Sequence, residues 1–145
     1  MSANSRMTIA VHVLAWMAFV HDMGREMVTS DQIATSVSTN AVVIRRSLAD
    51  LRDAGLVTVR HGAGAGWRLA RAAESITLLE VYEAVQGDAV FGMHRGEPNQ
   101  SCPVGAGIQP ALRRVYGDAE QAVRRELARV SIAGVLRDTL AGRSA

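Results

Sequence analysis

The chain has 145 residues, enough for one compact domain and too few for two ordinary ones. Apolar residues make up 48% and charged residues 21%, a globular balance that excludes a disordered or low-complexity chain. A single cysteine, Cys102, excludes an intramolecular disulfide and any zinc or iron–sulfur site built from several cysteines of one chain, and it fits a reducing cytoplasm.

The formal charge of +2 is unevenly spread. Residues 1–70 hold seven Arg against five acids, residues 71–109 two against five, and residues 110–145 seven against four. No lysine is present. Guanidinium suits bidentate contacts to phosphate and guanine, although a GC-rich coding bias produces the same composition.

In chain order, Asn4 and Ser5 are candidate caps for a first helix to about Met23, with Ile9, Val13, Trp16, Met17 and Val20 at helical spacing and Gly24 as its stop. Its apolar run, residues 9–20, contains His12 and is shorter than the roughly 17 to 25 residues of a membrane span. No small-residue cleavage site follows it, so neither a span nor a secretory signal is expected. Thr29-Ser30-Asp31 signals a short second helix with Ile33, Ala34 and Val37 inward. After a polar turn at Ser38-Thr39-Asn40, a third helix places Ala41, Ile44, Leu48 and Leu51 on a core face and stops at Gly55. The opposite face is then Asn40, Val43, Arg46 and Ser47. Helices two and three, joined by a tight turn, form a candidate helix-turn-helix.

The period then changes. Residues 56–61 read as a strand, Gly62-Ala63-Gly64-Ala65-Gly66 cannot hold a helix, and Trp67-Arg68-Leu69-Ala70 reads as a returning strand, so the pair forms a wing. A dinucleotide-binding glycine loop needs a helix directly after it, and here a strand follows. Ser75 or Thr77 caps a helix through Leu78, Leu79, Val81, Tyr82 and Val85, closed by Gly87. Residues 92–107, with four glycines, two prolines and no periodicity, read as a loop. Pro110 opens a long helix with Leu112, Tyr116, Ala119, Val123, Leu127 and Val130 on one stripe, and Ser131 caps a short final helix. The expected class is mainly α with a small β wing: a winged helix-turn-helix domain over 1–87, a loop over 88–109 with a candidate sensor role, and a dimerisation helix with a tail over 110–145.

The runs Asn40-Ala41-Val42-Val43-Ile44-Arg45-Arg46, Leu51-Arg52-Asp53-Ala54-Gly55-Leu56-Val57, the glycine wing tip with Trp67-Arg68-Leu69-Ala70-Arg71, and residues 76–85 together resemble the bacterial IscR/NsrR/CymR family of winged helix-turn-helix regulators, also called the Rrf2 family. Asn99-Gln100-Ser101-Cys102-Pro103-Val104-Gly105 is most similar to its YwnA-like subgroup. The resemblance covers nearly the whole chain and implies a homodimer joined through the long C-terminal helix, two wings and a palindromic operator. Cluster-holding members carry three cysteines in the loop before that helix, whereas this chain has only Cys102, so no cofactor is expected. The wing tip also departs from the family's paired glycine before the aromatic residue.

In that frame Thr39 and Asn40 are candidates for polar contacts, Arg46 for a base edge or phosphate, Val43 for a thymine methyl and Arg45 for the backbone. A solvated helix face is the competing reading of Arg45 and Arg46. Ser5, Arg6, Thr29 and Ser30 sit at helix N-termini, where amides and hydroxyls meet phosphates. Arg60, His61 and Arg68 give the wing charge, and its tip at Gly64 is small enough for a minor groove. Trp67 is expected to pack the wing on the body. The stripe from Leu112 to Val130 is assigned to dimerisation, with packing on its own domain as the alternative. Cys102 is a candidate redox sensor or simply structural, and with His94 it makes a weak metal-ligand pair. His12 and His21 are expected to have local partners.

The expectation is a cytoplasmic, homodimeric DNA-binding regulator of the repressor type, answering an unknown small-molecule or redox signal, with no membrane partner. The alternative is a winged-helix protein-interaction module. An enzyme is not expected, because no nucleophile–base constellation, metal motif or phosphate loop is legible.

Overall fold

Helix α1 (Ala3–Asp22) is apolar on nearly every side, and a helix of that kind belongs inside a fold. The computed structural model, which describes residues 3–85 and 89–143, places it at the centre of its unit. Ala10, Val13, Leu14 and Met17 are buried, and α1 packs against α2 (Ser30–Val37), α3 (Ala41–Asp53), α4 (Leu78–Val85), the wing and α6 (Ile132–Gly142). Because α1 starts at Ala3, Ser5 lies within its first turn and is not its cap. Among the described residues no helix is long and apolar enough to cross a membrane.

Local chemistry sets the next elements. Thr29 and Gln32 form a reciprocal capping box at the start of α2. Ser38 takes a left-handed conformation, which lets both its own N–H and that of Thr39 donate to the Ala34 carbonyl and turns the chain sharply into α3. Ile44, Leu48 and Leu51 are fully buried, and each such side chain stabilises the fold by roughly 1.5–3 kcal/mol.

Strands β1 (Val57–Arg60) and β2 (Gly66–Leu69) pair antiparallel, with Val57 opposite Leu69 and Arg60 opposite Gly66. The wing is anchored along the outer edge of β2, where Val28 and Trp67 exchange main-chain hydrogen bonds of 3.0 and 2.7 Å. Trp67 packs on the core as expected. After a 3-10 turn at Ala73–Ser75, Thr77 and Glu80 cap α4. Its expected stop at Gly87 lies outside the described residues.

Helix α5 (Pro103–Ala128) differs from the expectation at both ends. It opens at Pro103, a full two turns before Pro110, which therefore sits inside it. Proline suits the first helical position, where no N–H is needed, and the Asn99 side chain and carbonyl accept from Ser101 and Cys102 to shape the entry. Gly105 makes that entry possible, since a side chain there would collide with the Asn99 backbone. At the other end the helix stops before Val130, which sequence periodicity had assigned to the same stripe. The Val130 carbonyl instead accepts from Leu78, and Ile132 donates to Ile76 beside a Thr77–Ser131 bridge.

The chain forms two compact units, Met1–Gly87 with Leu127–Ala145, and Asp88–Glu126. The final helix α6 thus belongs to the first unit, where buried Ile132 joins the core, and is not an appendage of the long helix.

Candidate nucleic-acid interface

All thirteen residues singled out for DNA contact lie in the first unit. The Asn40 side chain caps α3 by accepting from the Val43 N–H at 3.0 Å, so its oxygen is engaged and its amide N–H groups remain to donate. Arg45 and Arg46 are exposed and make no ion pair among the described residues. Val42 is 61% exposed on the same outward face, about 40° from Arg46 around a helix of 3.6 residues per turn. Sequence reading passed over it in favour of Val43, which is half-buried.

Ser47, expected on the outward face, is buried instead at 8% exposure. It follows Ile44 by three positions and precedes Leu51 by four, which brings it to the edge of the core stripe. Among the described residues its hydroxyl has no hydrogen-bond partner. It lines a cavity of about 170 Å³ with Arg6, Ile9, Val43, Arg46, Asp50 and Val85. Arg6 at the start of α1 and Arg46 on α3 therefore border one depression, a convergence invisible from their separation in sequence.

Thr29 accepts from Gln32 as a cap, and its hydroxyl proton and that of neighbouring Ser30 can still face a phosphate. Thr39 is half-buried in the turn before α3. On the wing, Arg68 donates to the Thr58 hydroxyl at 3.4 Å across a directly opposed pair, and Arg60, His61 and Gly64 are exposed. The Arg60 guanidinium lies against the wing tip, within 3.6 Å of where a Gly64 side chain would begin.

At the wing's exit Arg71 binds Glu80 at 2.7 Å. That contact, with the Thr77 N–H, holds the Glu80 carboxyl below the usual glutamate range. His21 lies 3.9 Å from Asp22, a local partner as expected, whereas His12 lies 3.4 Å from Ser36, 24 positions away on α2.

In the second unit no residue of α5 is buried. Leu112, Tyr116, Ala119 and Val123 are half-buried, and Tyr116 stacks on Phe91 with ring centroids 5.0 Å apart. Leu127, across the unit boundary, is half-buried as well. On α5 itself the large apolar side chains left most open are Val104, Val115 and Ile108, at 70%, 53% and 38% exposure, on a face adjacent to the stripe read from the sequence.

Cys102 is exposed at the mouth of α5. Backbone N–H groups of Gly105 and Val104 bond its sulfur and lower the thiol pKa. The His94 ring bonds the Gly96 carbonyl. Among the described residues no group of three His, Cys, Asp or Glu side chains is placed to hold a metal ion.

The sequence profile of the Rrf2 family, described as iron-dependent transcriptional regulators, matches residues 3–138. The chain belongs to the Rrf2 family. It is 39% identical over 134 residues to a protein of Bacillus subtilis strain 168 named as an HTH-type transcriptional regulator, YwnA, covering 92% of this chain and 96% of that one, in agreement with the expected subgroup. A solved structure named as a DNA-binding protein is 36% identical and superposes with a TM-score of 0.72, covering 90% of this chain and 98% of that one. The B. subtilis CymR structure, at 19% identity, TM-score 0.68 and coverage of 94% and 95%, shares the fold. This is a family of DNA-binding transcription regulators with a winged helix-turn-helix. The Rrf2 description names iron, and this chain carries a single cysteine.

Proposed function

We propose that this Rrf2 protein is a homodimeric, sequence-specific DNA-binding repressor that acts on a palindromic operator and works without an iron–sulfur cluster. The observation that carries the reading is the outward face of α3, where the exposed Val42, Arg45 and Arg46 follow an N-cap at Asn40. Arginine beside an apolar side chain at the N-terminal end of such a helix suits guanine edges and thymine methyls in a major groove. Arg6, Thr29 and Ser30 would hold phosphates, while Arg60, His61 and Arg68 would carry the wing to the adjacent groove.

Dimerisation supplies what one subunit lacks, because two copies double the phosphate contacts and set recognition helices about 34–36 Å apart. A 26-residue helix without a buried side chain supports α5 as the joining element, with Val104, Ile108 and Val115 added to the stripe read from the sequence.

The test is selection of duplex DNA by the purified protein, followed by anisotropy titration at several salt concentrations. Arg46→Ala is expected to weaken the selected site by about 1–3 kcal/mol, or to lower the salt slope by about one if Arg46 meets a phosphate. Absence of DNA binding at low salt overturns the proposal.

A second reading, redox sensing through Cys102, is favoured by the exposed thiol with its lowered pKa. Peroxide should then change DNA affinity in the wild type and leave Cys102→Ser unchanged. An identical response in both removes that reading.

A further inference from the structure

A cleft of about 750 Å³ in the first unit lies between the end of α1, the wing strands and α6, on elements apart from the outward face of α3. Its volume falls within the range of ligand sites, about 300–1,000 Å³. Alanines and leucines line it, among them Ala18, Ala73, Ala133 and Leu136, and such short side chains leave room for an aliphatic body.

The charges around it are of both signs. Arg71 is neutralised by Glu80. Asp22 also lines the cleft and has only the His21 ring near it, at 3.9 Å. Beside them stand the guanidinium groups of Arg68 and Arg137 and the carboxylates of Glu26 and Glu74. None of these four makes an ion pair among the described residues. Unpaired charges of opposite sign around one apolar cleft present complementary fields to a ligand that carries both an ammonium and a carboxylate.

We propose that this cleft binds a small aliphatic zwitterion, a free amino acid or short peptide, with its carboxylate toward Arg137 and its ammonium toward Glu74. Thr58, Arg68 and Leu69 of the wing form one wall, and Leu136 and Leu140 of α6 another. An occupant therefore ties the wing to the body. Its effect on DNA affinity, a linkage between two sites, rests on the DNA-binding reading above, whereas ligand binding itself does not.

The experiment is calorimetric titration of the full-length protein with L-leucine and L-leucyl-L-leucine, each beside its N-acetylated and C-amidated form. At least one zwitterion should bind tenfold or more tighter than either of its capped forms, and the tighter of the two shows whether amino acid or peptide is preferred. Arg137→Gln should abolish the preference over the amide, and Glu74→Gln the preference over the acetylated form. Ala133→Phe should fill the cleft and eliminate binding. The two glutamine variants, altered only at exposed side chains, decide the matter if the phenylalanine variant does not fold. No binding of either zwitterion at about 10 mM, or equal binding of capped and free forms, overturns the site. Anisotropy with operator DNA then reads the coupling. A threefold or greater change in affinity at saturating ligand supports it, and an unchanged affinity overturns it. A protein that binds the zwitterion but no DNA refutes the DNA-binding reading and leaves the cleft standing.

Discussion

Gly66→Ala tests the anchoring of the wing. Gly66 is buried, has φ of +153°, and a methyl added to it would lie 2.8 Å from the Val28 carbonyl oxygen and 3.3 Å from the Met27 side chain. The near neighbour is backbone, so relief requires Val28 and Trp67 to separate, weakening main-chain hydrogen bonds of 3.0 and 2.7 Å. Each bond contributes about 0.5–1.5 kcal/mol, and a strained φ at a non-glycine residue costs about 1–3 kcal/mol. Because separation of the strands relieves part of the strain, the two costs do not add in full. A loss of about 2–4 kcal/mol is expected.

For a chain of this length each kcal/mol moves Tm by about 2–4 °C, so the midpoint should fall by about 4–16 °C. Urea denaturation followed by circular dichroism at one protein concentration measures the loss, with the fluorescence of Trp16 and Trp67 as a second report. Gly92→Ala, where no atom lies within 4 Å of the new methyl, is the control and should change stability by less than about 0.5 kcal/mol. A loss below that value in Gly66→Ala would refute the reasoning, because the contact between β2 and Val28 would then have room that its geometry denies.

Three further outcomes are expected. Since the folded-state pKa of Glu80 is lowered by Arg71, the pair stabilises the fold above the ordinary glutamate pKa of 4.5, and that contribution is lost as pH falls through the lowered value. Arg71→Gln should therefore be less stable at neutral pH by up to about 1 kcal/mol, as befits a partly exposed pair, and the difference from wild type should vanish in strong acid. Denaturation midpoints against pH check this, and a gap that persists in acid would contradict it. Ile108→Asp, which places a charge on the open apolar face of α5, should weaken dimerisation by about 2 kcal/mol or more, some thirtyfold, in sedimentation equilibrium. A wild-type dimer constant in that variant would place the interface elsewhere. Iodoacetamide should alkylate Cys102 with a half-maximal pH below the roughly 8.5 of a free thiol, and a midpoint at or above that value would deny the influence of the α5 amides.

The sequence by itself determined the order of the main helices and strands, and several boundaries are written in short-range chemistry: Thr29 three residues before Gln32, Asn40 before the α3 stripe, and Ser131 before α6. Helical spacing also put Arg46 on the outward side of α3, where it is exposed. Where periodicity was ambiguous it failed. Ser47 has helical neighbours on both sides of the core boundary, and only packing sends it inward. Pro110 carries the same signal whether it opens a helix or interrupts one, and the Asn99 turn packed against Gly105 decides in favour of Pro103. Val130 fits the stripe by spacing, yet it pairs with residues fifty positions earlier in the chain. Contacts at such range leave no periodic trace, and for the same reason the depression shared by Arg6 and Arg46 and the cleft between wing and α6 became visible only in the tertiary structure.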